Sequence, residues 1–307
     1  MSRFARFPWF DEGAGDVNGS ANKKKPKLAA LAAACLFASA PAHAQQAAPD
    51  YARRLDHDTV SKADEDDIAR ESENPIGNLT VLPLENDTNF GVGPHDGTQN
   101  ILEFEPVVPI HLNPDWTLIN RAIIPAVWNP DLSPAMSVPQ AIAPTDYSAF
   151  LSPSHPVDGW TVGAGPIVQI PTATSPTVGS SVWGLGPTAI AVKTTEHIVA
   201  GLLVNQIWSL GGVDPGPGGK RYAQFLAEPF VNYNFGHGWF VSSAPIITDD
   251  EAHAGRKWTV PVGAVAGRII KLGGKLPVKL SIGGYYNVVT PQYGAKWQLQ
   301  SVVAAIF

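Results

Sequence analysis

Hydrophobic and polar positions alternate along most of the chain beyond residue 75. In 159–171, Trp160, Val162, Ala164, Pro166, Val168 and Ile170 share one face, and Thr161, Gly163, Gly165 and Gln169 share the other. Strict alternation is the signature of a strand with two unlike faces. The same pattern sets Ala223, Phe225, Ala227, Val231, Tyr233 and Phe235 against Gln224, Glu228, Asn232 and Asn234. It sets Leu276, Val278, Leu280, Ile282, Tyr286 and Val288 against Lys279, Ser281, Tyr285 and Asn287. Near 101–110, Leu102, Phe104, Val108 and Ile110 oppose Glu103 and Glu105. These runs are long for globular strands of about five or six residues, and many match the ~9–11 residues that cross a bilayer. No apolar run approaches the ~18 residues of a spanning helix; Ile198–Val204 comes nearest.

Strands are expected over about 98–111, 116–128, 145–153, 159–170, 182–193, 198–209, 222–234, 239–248, 257–270, 276–289 and 297–307. In 116–128, Asn120 and Arg121 fall on opposite faces, so one face carries a polar residue or the strand is bulged. The connectors alternate between short (113–115, 154–158, 194–197, 235–238, 271–275) and long (129–144, 171–181, 210–221, 249–256, 290–296). Outer-membrane barrels have this sidedness, with short periplasmic turns and longer outer loops. A C-terminal strand ending in the periplasm and a mature N-terminus released there require one more strand. Residues 78–92 supply it, although Pro83 removes a ladder donor. The expected fold class is therefore all-β: a closed antiparallel transmembrane β-barrel of about 12 strands, an even number.

Composition agrees. Charged residues are 16% of the chain, and there are 29 glycines, 28 prolines and nine tryptophans. A typical soluble domain is about 25% charged. Trp116, Trp160 and Trp239 follow short turns, whereas Trp128, Trp183, Trp208, Trp258 and Trp297 lie near long connectors. Two interfacial girdles are thus expected. Lys23, Lys24, Lys25 and Lys27 precede the apolar run 28–36, and Ala42-His43-Ala44 has the small residues of a cleavage site. Residues 1–44 are expected to be a signal peptide with a long n-region. Its removal takes away Cys35, the only cysteine, and more basic than acidic residues. Residues 45–75 are then an acidic periplasmic N-terminal segment, and 76–307 form the barrel. A net charge of −6 leaves no basic footprint for nucleic acid.

Several segments resemble a known family. They are Asn74-Pro75-Ile76-Gly77-Asn78-Leu79 followed by 86–94, Glu105-Pro106-Val107-Val108-Pro109-Ile110, Trp183-Gly184-Leu185-Gly186-Pro187, 228–234 and 258–263. Together they resemble the outer-membrane proteins grouped with the meta-pathway of phenol degradation, transporter-like chains. The resemblance covers about 74–307. It implies an outer-membrane barrel in a Gram-negative cell, associated with uptake of small compounds, aromatic or hydrophobic ones among them. It assigns no substrate. It also implies that the terminal strand ending in Phe307 is recognised by the barrel-assembly machinery during biogenesis. Other partners are the outer-membrane bilayer and a small-molecule solute.

Candidate chemistry is sparse. The histidines fall in the leader (His43), the acidic segment (His57), turns and loops (His95, His155, His197, His237, His253) and a strand end (His111). None lies opposite a serine within a strand. The glycine-rich 211–219 loop before Lys220 has Asp214 where a P-loop needs its first glycine and Arg221 where it needs Ser or Thr. No catalytic residue, cofactor or metal site is expected, and the chain is not expected to be an enzyme. The polar strand face is the expected working surface, with Glu103, Glu105, Gln169, Gln224, Glu228, Asn232, Lys279, Tyr285 and Asn287 as lumen-lining candidates. Facing lipid, such groups would be costly. The acids outnumber Lys279, which biases the lumen toward cations unless Arg121 neutralises them. The expected role is a channel or transporter for small solutes. The alternatives are a non-conducting structural barrel and an outer-membrane enzyme. Residues 50–73, rich in Asp and Glu, read as a solvated tail with some helix, or as a plug or partner-binding segment.

Overall fold

The alternating faces close on themselves. The computed structural model describes residues 62–130, 140–175, 177–210, 222–250 and 258–307. After helix α1 (Lys62–Ser72), β1 is Val81–Val92 and β2 is Gly97–Phe104 continued as Val107–His111. Strand β3 is Trp116–Trp128, β4 is Gln140–Ile142 continued as Thr145–Pro153, β5 is Trp160–Ile170, β6 is Gly184–Thr194 and β7 is Ile198–Ser209. Strand β8 is Ala223–Gly236, β9 is Trp239–Ser243 continued as Ile247–Asp250, β10 is Trp258–Leu272, β11 is Leu276–Val289 and β12 is Trp297–Ile306. Each strand pairs antiparallel with its sequence neighbour, and β1 pairs with β12 from Val81↔Ile306 to Phe90↔Trp297. The result is a closed 12-strand antiparallel barrel with one short helix. Closure removes the sheet edges, so ladder groups find partners without water.

The three broken strands part at Pro106, Pro144 and Pro245. Proline cannot donate to the ladder, so pairing stops locally. At Glu105 the wall is still stitched, because its N–H donates to the Pro83 carbonyl at 3.1 Å and the Pro106 carbonyl accepts from Ala122 N–H at 3.1 Å. Pro166 of β5 and Pro187 of β6 stand directly opposite each other. On the outer sides of this pair the ladder is interrupted, between Ser148↔Ile167 and Leu151↔Ala164 and between Leu185↔Trp208 and Thr188↔Asn205. A glycine precedes each of these prolines. A Cβ at Gly165 would strike the Ala149 carbonyl oxygen, and one at Gly186 that of Gln206. Glycine lets neighbouring backbone close over the gap that proline makes.

The exterior is apolar. Leu84, Ile110, Val162, Leu202, Val231, Val262, Ile282 and Val303 are exposed on the outer face. Trp116, Trp128, Trp160, Trp183, Trp208, Trp239, Trp258 and Trp297 all lie outward, with exposures from 41% to 58%. They form the two girdles that the strand ends imply. Arg268 lies over the Trp239 ring at 5.2 Å and Lys193 over Trp160 at 5.6 Å, at the short-turn rim. A barrel with an apolar belt between aromatic girdles is an outer-membrane protein. Among the described residues no helix is long and apolar enough to cross a membrane. In β3 no bulge is needed. Asn120 faces outward, accepts the Tyr147 O–H at 2.6 Å and donates to the Val108 carbonyl at 3.2 Å. Arg121 faces inward.

One rim carries the tight connections. Asn113 Oδ1 accepts from the N–H groups of Asp115 and Trp116, both at 2.9 Å. Gly273 and Gly274 adopt φ of 60° and 72° between β10 and β11, which suits a tight hairpin turn. The connections at the other rim are mostly longer; parts of them, 131–139, 211–221 and 251–257, lie outside the described residues, as do 1–61.

Candidate functional site: the barrel lumen

Inward-facing positions carry both apolar and polar side chains. Ile119, Phe150, Ile190, Leu203, Leu226 and Phe230, from β3 to β8, pack in one cluster with Ile76, Val265 of β10 and Tyr285 of β11. The wall of β1, β2 and β12 has a polar stretch, Glu85, Asp87, Asn89, Gln99, Glu103, Gln298 and Gln300, beside buried Ile101, Ala304 and Ile306. The polar face is the one legible in the sequence; inward aliphatic residues such as Leu203 and Leu226 are not, because both faces of those strands are apolar at these points.

Every lumen-lining candidate lies on the inner face. Glu105, Glu228, Asn232, Lys279 and Tyr285 border a cavity of about 180 Å3, together with Phe230, Phe240 and Val265. Glu103 is 1% exposed and lies in the polar stretch. Gln169 donates to Asp146 at 3.1 Å, and Asn287 donates to the Ala295 carbonyl at 2.7 Å. Asn232 donates to the Val199 carbonyl at 3.4 Å, and Gln224 is buried on β8. Gln169, Gln224 and Asn287 lie away from the cavity lining.

The charges are arranged in pairs. Arg121 of β3 meets Glu105 of β2 at 3.0 Å and reaches across the lumen to Glu228 of β8 at 3.9 Å. This guanidinium, 12% exposed, divides the interior between two carboxylates. The expected cation bias is therefore reduced at Glu105 and Glu228. Lys279 is engaged as well, at 2.7 Å from Glu73, and its ammonium sits 4.9 Å from the Phe240 ring centroid. Glu85 and Asp87 join Glu103 in the polar stretch, and Glu85 accepts a hydrogen bond from Gln300 at 2.7 Å. Neither acid stands out in the sequence; the signal that groups them is their place at alternate, odd-numbered positions of 78–92, the parity shared with Asn89.

The lumen also holds the chain's own N-terminal segment. α1 packs inside the short-turn rim with Ile68 and Ala69 buried. Asp66 accepts the Gly238 N–H at 2.8 Å in the β8–β9 turn, and Glu65 lies 3.6 Å from Lys271. Arg70 donates to the Glu196 carbonyl at 3.3 Å. Burial raises the Glu71 carboxyl above its ordinary range, against the pull of the Asn78 backbone and Arg70. Residues 72–75 and Leu79 line the cavity. The chain then rejoins the wall, where Thr80 and Phe307 exchange backbone hydrogen bonds at 3.0 and 2.9 Å. Residues 62–80 are thus built into the barrel mouth, and their acids meet lysines projecting from β10 and β11.

No family model and no curated protein matches the chain. Solved structures do. An outer membrane channel from Pseudomonas putida F1 is similar at a TM-score of 0.55 and 16% identity, over 75% of this chain and 94% of that one. The NanC porin matches at 0.47 and 13%, over 74% and 98%. The CymD monoaromatic hydrocarbon channel matches at 0.38 and 10%, over 74% and 87%. The first likeness establishes a shared barrel fold; the other two are too distant in shape to bear on function.

Proposed function

We propose that the protein is a channel for small solutes, with aromatic or hydrophobic compounds among them, and that it belongs to the transporter-like family it resembles. The observation that carries this reading is the cavity of about 180 Å3 inside the barrel, lined by charged side chains such as Arg121 and Glu228 and by apolar ones such as Phe230, Phe240 and Val265. An apolar cavity of about 150 Å3 accommodates benzene. A single ring would lie against Phe230, Phe240 and Val265, with a polar substituent toward Arg121 or the Tyr285 hydroxyl. Helix α1 acts as a plug in the short-turn mouth, held by Lys271, Lys279 and the Gly238 N–H.

Flux tests this. Liposomes holding the mature protein are expected to swell in glycerol or arabinose faster than protein-free liposomes. Val265→Trp, which fills the cavity, is expected to slow them. Rates equal to protein-free liposomes for the wild type would remove the channel reading. Sidedness follows from the connector lengths, with the short-turn rim in the periplasm. With an impermeant thiol reagent on intact cells, His95→Cys is expected to be labelled and Lys275→Cys protected; the reverse pattern would invert the topology.

A further inference from the structure

Glu85, Asp87 and Glu103 face the lumen from adjacent strands. Glu85 stands directly opposite Glu103 in the β1–β2 register, and Asp87 is the next inward position on β1. One carboxylate oxygen from each lies within 4.8 Å of the other two. Asp87 is 0% and Glu103 1% exposed. Three acids so close repel one another in a low-dielectric wall. A second observation is separate from the clustering: Oε1 of Glu103, although buried, has no hydrogen-bond partner among the described residues. A carboxylate oxygen taken from water without a partner is strongly penalised. Among the described residues, Arg121 pairs with Glu105 and Glu228, and Lys279 with Glu73.

We infer that this trio is a binding site for a hard divalent cation of calcium size, fixed in the barrel wall between β1 and β2. Carboxylate oxygens are the ligands such ions take, and bonds of about 2.3–2.6 Å to a central ion bridge oxygens separated by up to ~5 Å. Magnesium, at about 2.0–2.1 Å and strictly octahedral, spans less and holds its water more tightly. Calcium accepts irregular ligand sets, with water completing the shell. The ion would give Oε1 of Glu103 a partner, join β1 to β2 and offset negative charge on this stretch of wall.

The test needs no current, so it stands or falls apart from the channel reading. The mature protein, folded in detergent and freed of metal by a chelator, is equilibrated with radioactive calcium. Wild type is expected to bind one ion per barrel, with little competition from magnesium, and calcium is expected to raise its unfolding temperature. Glu103→Gln combined with Asp87→Asn is expected to weaken binding on the order of tenfold or more, because affinity follows ligand charge. Glu65→Gln, in α1, is expected to leave binding unchanged. Absence of wild-type binding, equal competition by magnesium, or unchanged binding in the folded double variant would each overturn the site. Should the double variant not fold, the wild-type binding and the calcium-dependent rise in unfolding temperature still decide, since absence of either contradicts the inference.

Discussion

Arg121→Ala is expected to lower the stability of the folded barrel by about 3–5 kcal/mol, the range for removing one member of a buried ion pair. The guanidinium holds Glu105 at 3.0 Å and Glu228 at 3.9 Å, in side chains only 12–15% exposed. Its loss leaves both carboxylates facing the cavity without that counter-charge. Water entering the emptied space would screen them, which places the effect toward the lower end. The penalty belongs to the stranded acids, so the same substitution made together with Glu105→Gln and Glu228→Gln should cost much less. Urea unfolding followed by tryptophan fluorescence reads both. An unchanged midpoint for Arg121→Ala would show that the triad contributes nothing to the folded state.

Gly186→Val is expected to sharply reduce the yield of folded barrel. A side chain there meets the Gln206 carbonyl oxygen and the Ile207 backbone rather than a movable side-chain tip. Overpacking a closely fitted site costs about 1–3 kcal/mol, and here the neighbouring strand itself must shift, so the loss should reach or exceed that range. Ala189→Val, on the exposed face of the same strand, adds similar bulk toward lipid and is expected to be tolerated. Heat-modifiability on a gel compares the two. Equal yields would mean that the close approach of β6 and β7 at Gly186 is not needed for closure.

Strand positions were readable because a barrel wall has unlike sides, and a two-residue period reports that difference directly. Trp160 to Ile170 is the clearest case: outward Val162 and Ala164 alternate with inward Thr161 and Gly163. The period failed where both faces share a character. In β7, Leu202 is exposed and Leu203 buried, yet nothing in their chemistry separates them. In β1, outward Asn86 and Thr88 satisfy each other and Asn100 through side-chain hydrogen bonds of 3.3 and 2.8 Å. That local pairing hid the parity that would have grouped Glu85 and Asp87 with Glu103. Contacts across the lumen were also illegible. Arg121 and Glu228 lie on strands that do not pair, so no spacing rule joins them. Helix α1 was ambiguous for another reason: acids that answer Lys271, Lys279 and a turn N–H look in sequence like acids that answer water.

The proposed function is a solute path through the lumen with α1 seated in its short-turn mouth. Single-channel recording in planar bilayers is the measurement, comparing a chain of residues 45–307 with one of residues 74–307. The deletion removes α1 together with Glu65, Asp66 and Glu73, the acids that hold it to Lys271, Gly238 and Lys279. Small, infrequent current steps are expected from the longer chain and severalfold larger, persistent steps from the shorter one. Silence from both folded proteins, or the same conductance in each, would contradict it.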